Sequence, residues 1–143
     1  MGYLFDTDAI SETLKPRPAG AYLRWLGRIP RADQFTSAVV IGELYKGAFR
    51  ATHRARHLEN IETRVLEALT VLPYDIGVAR VFGQVQAALE EAGRVIADAD
   101  LQIAATALHH DLEIVTGNLR HFARVPGLRV CAVLADARRI NSA

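Results

Sequence analysis

A single cysteine, Cys131, stands in a chain of 143 residues. Its solitude excludes an intramolecular disulfide and a thiolate metal cluster, and leaves a lone buried thiol as the expected reading. Long apolar runs are also missing. No stretch approaches the roughly 20 apolar residues of a membrane span, and Asp6 and Asp8 interrupt the segment where a secretory signal core would lie. A cytoplasmic protein with no membrane partner is expected. Charge of one sign is not in excess: the net charge is +1, so no global basic field advertises nucleic acid. Lysine is nearly absent, with only Lys15 and Lys46 against fifteen arginines. Arginine is the better fork for phosphate, although a biased genome produces the same excess. Low-complexity tracts and internal repeats are lacking too. What is there is 50% apolar and 23% charged, an ordinary globular composition. The length is that of one domain over residues 1–143, enough to bury about two-thirds of the unfolded surface.

The elements follow from periodicity and breakers. "YLFD" is a short apolar run ending at an acid, and "AISETL" after it has helical spacing up to the Pro16 and Pro18 break. "AGAYLRWLGRI" predicts a second helix with Tyr22, Leu23, Trp25 and Leu26 on a broad apolar face. "FTSAVVIGELYKGAFRA" opens as a strand and continues, from an N-cap at Ser37, as a helix to about residue 51. Leu58, Ile61, Val65, Leu66 and Leu69 repeat at helical intervals. "TVLPYD" is extended, "VARVFGQVQAALEEAG" is a helix stopped by Gly93, and a further helix runs from about Asp98 to His110. The strand "LEIVT" and, one short turn later, the extended run "GLRVCAV" complete the order. Short apolar strands alternating with amphipathic helices predict an α/β fold with a parallel sheet covered on both faces. Sites in such folds form beyond the carboxyl ends of the strands.

Several acids point toward that interior. Asp6 ends the first strand. Glu43 shares a helix face with Val39, Val40 and Gly47, and Asp100 shares one with Ile103, Ala104 and Ala107. An ionised acid buried there costs several kcal/mol unless a positive charge compensates it. Asp98 has a different expectation: with the helix starting at Ala99, it is the N-cap, accepting from the N–H of Asp100 or Leu101. Asn118, beyond the strand that ends at Thr116, adds a neutral oxygen. Converging carboxylates raise one another's pKa and oppose folding, and a hard divalent cation removes the conflict. Oxygen donors without cysteine suit Mg²⁺ or Mn²⁺, and the chemistry implied is metal-assisted hydrolysis of a phosphate ester.

At these residues the sequence resembles the PIN-domain ribonucleases, most closely the VapC toxins of bacterial type II toxin–antitoxin pairs. The matching blocks are "YLFDTDAISE", "SAVVIGELYKGA", "VIADADLQIAATAL" and "LEIVTGNLRHFARVPGLRV", in order over nearly the whole chain. The resemblance implies a PIN-like three-layer α/β/α fold with about five parallel strands. It further implies a Mg²⁺- or Mn²⁺-dependent endoribonuclease acting on tRNA or rRNA, a homodimer, and inhibition by a small VapB-like antitoxin. The family's metal-binding acids fall on Asp6 and Asp100, with Glu43 as a third member and Asp98 at a position that is often acidic. Asn118 and His121 stand where many relatives carry acids. Asp111 stands where relatives often close the helix with glycine, and aspartate tolerates that conformation.

Other residues have ordinary readings beside functional ones. His53 and His57 have the spacing of a zinc pair but no evident third ligand, so a solvated or phosphate-facing surface is expected. Arg120 and His121 are RNA-contact candidates. Thr7 is another: it either positions a metal-bound water or caps its helix. Tyr22 and Trp25 read as core or dimer interface. Two alternatives remain at this point. "FDTDAIS" has the strand and Asp-x-Asp form of haloacid-dehalogenase phosphatases, with Asp6 as nucleophile and Asp8 as acid, but both lysines lie early in the chain, and a phosphorylated receiver domain has the same lysine problem. The other is a PIN-like module that binds RNA or a partner without cleaving.

Overall fold

The computed structural model describes residues 1–142. Five strands, β1 (Tyr3–Phe5), β2 (Gln34–Ser37), β3 (Thr70–Leu72), β4 (Glu113–Val115) and β5 (Val130–Cys131), pair in parallel in the order β3-β2-β1-β4-β5. The strands are two to four residues long, and the central ones are buried because helices cover both faces: Leu4, Phe5, Ile114 and Val115 are at most 2% exposed. The predicted α/β class and strand number are both observed.

Between the strands run α1 (Thr7–Leu14), α2 (Gly20–Leu26), α3 (Ala38–Arg50), α4 (Arg54–Asn60), α5 (Leu66–Ala68), α6 (Ile76–Glu91), α7 (Asp98–His109) and α8 (Leu119–Phe122), and α9 (Val133–Ser142) follows β5. Short polar side chains start several of them. Ser37 accepts from the Val40 N–H at 3.1 Å and Asp75 from the Val78 N–H at 3.0 Å. Gly93, at φ 70°, ends α6, and Asp111, at φ 54°, turns the chain after α7 into β4. The run expected as one helix after residue 54 is broken: a wide π turn over Ile61–Val65 separates α4 from α5 and keeps Ile61 and Val65 buried.

Two expectations fail near the C-terminus. "GLRVCAV" does not follow β4 by one short turn; α8 and a turn centred on Gly127 intervene. Only Val130 and Cys131 of that run are strand, and α9 begins at Val133. Leu134 and Ala137 of α9 are buried against the rest of the core. Cys131 is half-buried, not enclosed. Trp25 packs edge-on to Tyr3 at 5.1 Å and stacks with Tyr22 at 6.1 Å, while the Tyr22 hydroxyl donates to the Ala9 carbonyl. Tyr22 is fully buried, and Tyr3 and Trp25 are partly buried against the core.

Chain order reverses beside β1, which pairs with β2 on one edge and β4 on the other. The carboxyl ends of β1 and β4 therefore flank the crevice that such sheets leave open. Asp6 and Thr116 are the residues that follow those two strands.

Candidate active site

A cleft of about 300 Å³ opens at that switch point. Asp6, Thr7 and Asp8 reach it from the start of α1, Glu43 from α3, Asp100 and Ile103 from α7, and Asn118 and Phe122 from α8. Asp6, Glu43, Asp100 and Asn118, far apart in sequence, are thus brought together as expected. Asp98 is not among them. It is exposed, is the first residue of α7, and does not cap it; the N-cap position is Ala97, with no side-chain hydrogen bond. The helix starts one residue earlier than its sequence suggests, so Asp98 can favour the helix dipole without holding a particular N–H.

The capping role belongs instead to Asp6. Its Oδ1 accepts from the Ala9 N–H at 2.8 Å, which fixes the carboxylate at the mouth of α1. Thr116, fully buried, hydrogen-bonds to Asp6 from β4, and the Thr116 hydroxyl oxygen in turn accepts from the Asn118 N–H at 3.0 Å. Asp6 is only 5% exposed. Burial pushes its carboxyl up to about 6; the Thr116 and Ala9 hydrogen bonds pull the other way, and the nearby charges of Asp8 and Asp100 add to the rise. This carboxylate is held in place but lacks a counter-charge.

The remaining acids are steered individually. Thr7 neither caps α1 nor faces only solvent: its hydroxyl donates to Glu43 Oε1 in a short hydrogen bond that ties α1 to α3. His121 Nε2 lies 2.9 Å from Asp100 Oδ2. The pair lacks hydrogen-bond alignment, so Nε2 is buried beside the carboxylate without a satisfied bond. Asp8 is clamped by Arg138 of α9, whose Nη1 and Nη2 donate to the two carboxylate oxygens at 2.7 and 2.9 Å. Arg138 also donates to Glu12, whose side chain is 4% exposed. Burial alone would raise the Glu12 carboxyl, but hydrogen bonds from Lys15, Arg138 and the Ala19 N–H outweigh it and hold it at about 2. A Cβ at Gly117 would overlap both Arg138 and Asp8, so only glycine admits the clamp beside β4.

These contacts settle the phosphatase alternative. It needs Asp8 as a proton donor and a lysine at the reacting phosphate. Asp8 is instead locked to a guanidinium, and no lysine lines the cleft among the described residues. Arg120 also lies outside the cleft, in a separate depression with Arg94 and Arg124.

Sequence reasoning missed Thr116, Gly117, Glu12 and Arg138. Gly117, directly after a strand that ends at the site, was the one local signal. Arg138 meets Asp8 across 130 positions, and no periodicity connects them.

The donors fit a hard cation in kind: carboxylate oxygens and one amide oxygen around a buried acid whose ionisation is opposed. Among the described residues no three His, Cys, Asp or Glu side chains are grouped so as to hold a metal ion by themselves. A tightly enclosed structural ion does not fit this arrangement; an ion held here would have to keep several of its waters, as Mg²⁺ does.

A doubly covered parallel sheet with an acid-lined cleft at its switch point defines an α/β protein that gathers carboxylates beyond the ends of its central strands. The PIN domain family model matches residues 3–128, and the chain belongs to that family. It is 35% identical over 129 residues to ribonuclease VapC2 of Haemophilus influenzae, covering 89% of this chain and 94% of the relative. It is also 35% identical over 127 residues to the tRNA(fMet)-specific endonuclease VapC of Shigella flexneri, with coverage of 89% and 94%. Among solved structures, the DNA-bound VapBC of Salmonella typhimurium superposes with a TM-score of 0.84 at 30% identity, covering 92% of this chain and 97% of that one.

Proposed function

We propose that this protein is the toxin of a VapBC-type toxin–antitoxin pair, an endoribonuclease that hydrolyses RNA phosphodiester bonds with the help of Mg²⁺ or Mn²⁺. The observation that carries the reading is the convergence of Asp6, Glu43 and Asp100 on one cleft at the sheet's switch point. A module that merely binds RNA gains nothing from a buried acid whose charge nothing offsets, so the binding-only alternative is set aside.

Asp6 and Asp100 are the residues that would hold the cation, with Glu43 contacting it or its water. Such an ion supplies an activated water and neutralises charge on the phosphate as the bond breaks. The protein's own contribution is positional. Thr116 and the Ala9 N–H aim Asp6, Thr7 aims Glu43, and Asn118 presents an amide to orient water or substrate. Ile103 and Phe122 form an apolar wall that limits how much water the cleft admits.

The named relatives guide the choice of substrate and partner. An endonuclease specific for a tRNA among them makes tRNA the first substrate to test. The VapBC complex among the structural neighbours supports a small VapB-like antitoxin as inhibitor, and we extend the reading to a homodimer of toxins. No helix among the described residues is long and apolar enough to cross a membrane; we place the protein in the cytoplasm, where its RNA substrates are.

The test is cleavage of total tRNA and rRNA by antitoxin-free protein with Mg²⁺, Mn²⁺ or EDTA, beside Asp100→Asn. Discrete metal-dependent cuts that vanish in the variant are expected. Folded protein that cuts nothing with either metal would overturn the reading.

A further inference from the structure

Three helix faces meet beside the acidic cleft. From α1 and its C-cap come Ser11, Leu14 and Lys15, at spacings of four, seven and eight from Thr7. From α3 come Leu44, Gly47 and Ala48, in line with Glu43. From α4 and its cap come His53, Arg56, His57 and Asn60. They enclose a groove of about 580 Å³, and Thr7 and Glu43 line both this groove and the cleft. The two spaces adjoin at this hydrogen-bonded pair.

We propose that this groove is a substrate subsite that holds the RNA strand on one side of the scissile phosphate. The inference rests on the ribonuclease reading and adds where the strand lies. Charge and polarity are those of a nucleotide's partner. His53, Arg56 and His57 place nitrogen donors around the rim, Lys15 stands beside them with its ammonium on Glu12, and Glu43, at the end shared with the cleft, is the one acid among the groove's lining residues. Leu14, Leu44 and Ala48 provide an apolar floor for a ribose or base face, against which backbone phosphates reach the rim. A polymer cleaved internally must leave the cleft along some surface, and this one adjoins it through two of its own side chains.

Gly47, like Gly42 in the same helix, has open space where a Cβ would stand, and of the two it is the one that lines the groove. It lies inside α3, where glycine costs up to about 1 kcal/mol relative to alanine, yet a Cβ there would touch nothing within 4 Å. No packing demand explains the glycine. Its effect is to leave the groove open one helical turn from Glu43. A bulky residue at 47 therefore plugs the groove while improving helix propensity, which separates blocked binding from misfolding.

The experiment is fluorescence anisotropy of a labelled single-stranded RNA with intact protein in EDTA, across a range of salt, followed by cleavage of the same RNA with Mg²⁺. Gly47→Leu and the double variant Arg56→Ala/His57→Ala should each weaken binding by about tenfold or more. The double variant should also flatten the logarithmic salt slope by roughly 0.7 per cation removed. Both should raise KM more than they lower kcat. Melting at or above the wild-type temperature for Gly47→Leu establishes that the fold survives. Wild-type affinity and salt slope in these variants, with the wild type still cleaving RNA, overturns the subsite alone. Variants that keep RNA affinity but lose the cognate antitoxin overturn it in favour of a protein-docking groove. A wild type that neither binds nor cleaves RNA overturns the ribonuclease reading itself.

Discussion

Arg138 and Asp8, 130 positions apart, form a fork-to-fork pair at 2.7 and 2.9 Å that fastens α9 to the first turn of α1. The same guanidinium reaches the nearly enclosed Glu12, so one cation from the end of the chain compensates two acids next to the site. This division matters for chemistry. Asp8 and Glu12 each have a cation within the protein, whereas Asp6, the acid at the switch point, has hydrogen bonds but no ion pair among the described residues.

Removing the fork should destabilise the protein and not merely trim its surface. Arg138→Ala leaves Asp8 without its ion pair and buried Glu12 with Lys15 as its remaining cation, at an expected cost of about 1–3 kcal/mol. Arg138→Lys retains the charge but not the two parallel bonds, and should fall between. Gly117→Ala should resemble Arg138→Ala, because its methyl occupies the place of the clamp. Urea unfolding measures all three. A wild-type midpoint for Arg138→Ala would show that the pair contributes no net stability.

Asp6 should behave in the opposite direction. Its carboxyl rises from 3.8 to about 6, roughly 3 kcal/mol against the ionised form. The folded value lies above the unfolded one, so the native state binds more protons between about pH 4 and 6. Stability from this group is therefore present at low pH, falls as pH rises through that window, and stays low above it. Asp6→Asn, which keeps an N-cap oxygen for the Ala9 N–H, should make the metal-free protein more stable at neutral pH while abolishing cleavage. Loss of melting temperature in metal-free Asp6→Asn at pH 7.5 would contradict the unpaired-charge argument.

The two aspartates that open α7 should separate cleanly. Asp100 lines the cleft beside His121; Asp98 is exposed and outside it. Asp100→Asn should eliminate RNA cleavage with little change in stability. Asp98→Asn should lose at most the small benefit of an acid at a helix N-terminus, under about 1 kcal/mol, and should cleave at nearly the wild-type rate. Equal loss of cleavage in both would return Asp98 to the ligand set.

The parts of this molecule legible in the sequence were those written in local patterns. The strand runs "YLFD" and "LEIVT", each one residue longer than the strand observed at its end, the Ser37 cap and the inward faces of α3 and α7 all follow from spacing, and in the fold they bring Asp6, Glu43 and Asp100 to one cleft. Asp98 was misassigned because a capping side chain and a first-turn acid look alike in sequence, and a shift of one residue exchanges them. The π turn at Ile61–Val65 was hidden because its apolar residues keep helical intervals. Arg138 was invisible for a different reason. Its partners are chosen by how α9 lies across α1, which is a consequence of tertiary packing, and the surrounding residues carry no mark of it. The groove beside the cleft was equally hidden, although each of its three helix faces could have been drawn separately.

A divalent cation should stabilise this protein in a pH-dependent manner. Metal binding requires ionised carboxylates, so protons compete with it. With Asp6 raised to about 6, the acid is mostly protonated at pH 5 and mostly ionised at pH 7.5. Binding to the native state alone raises stability by RT ln(1 + [L]/Kd), about 2.7 kcal/mol at a hundredfold excess over Kd. Saturating Mn²⁺ should therefore raise the melting temperature by several degrees at pH 7.5 and by much less at pH 5, and EDTA should reverse the gain. Asp6→Asn should lose most of the shift at pH 7.5, which distinguishes the cleft from adventitious surface binding. An equal shift at both pH values, or one that survives Asp6→Asn, would remove Asp6 from the metal site and leave the buried acid in need of another explanation.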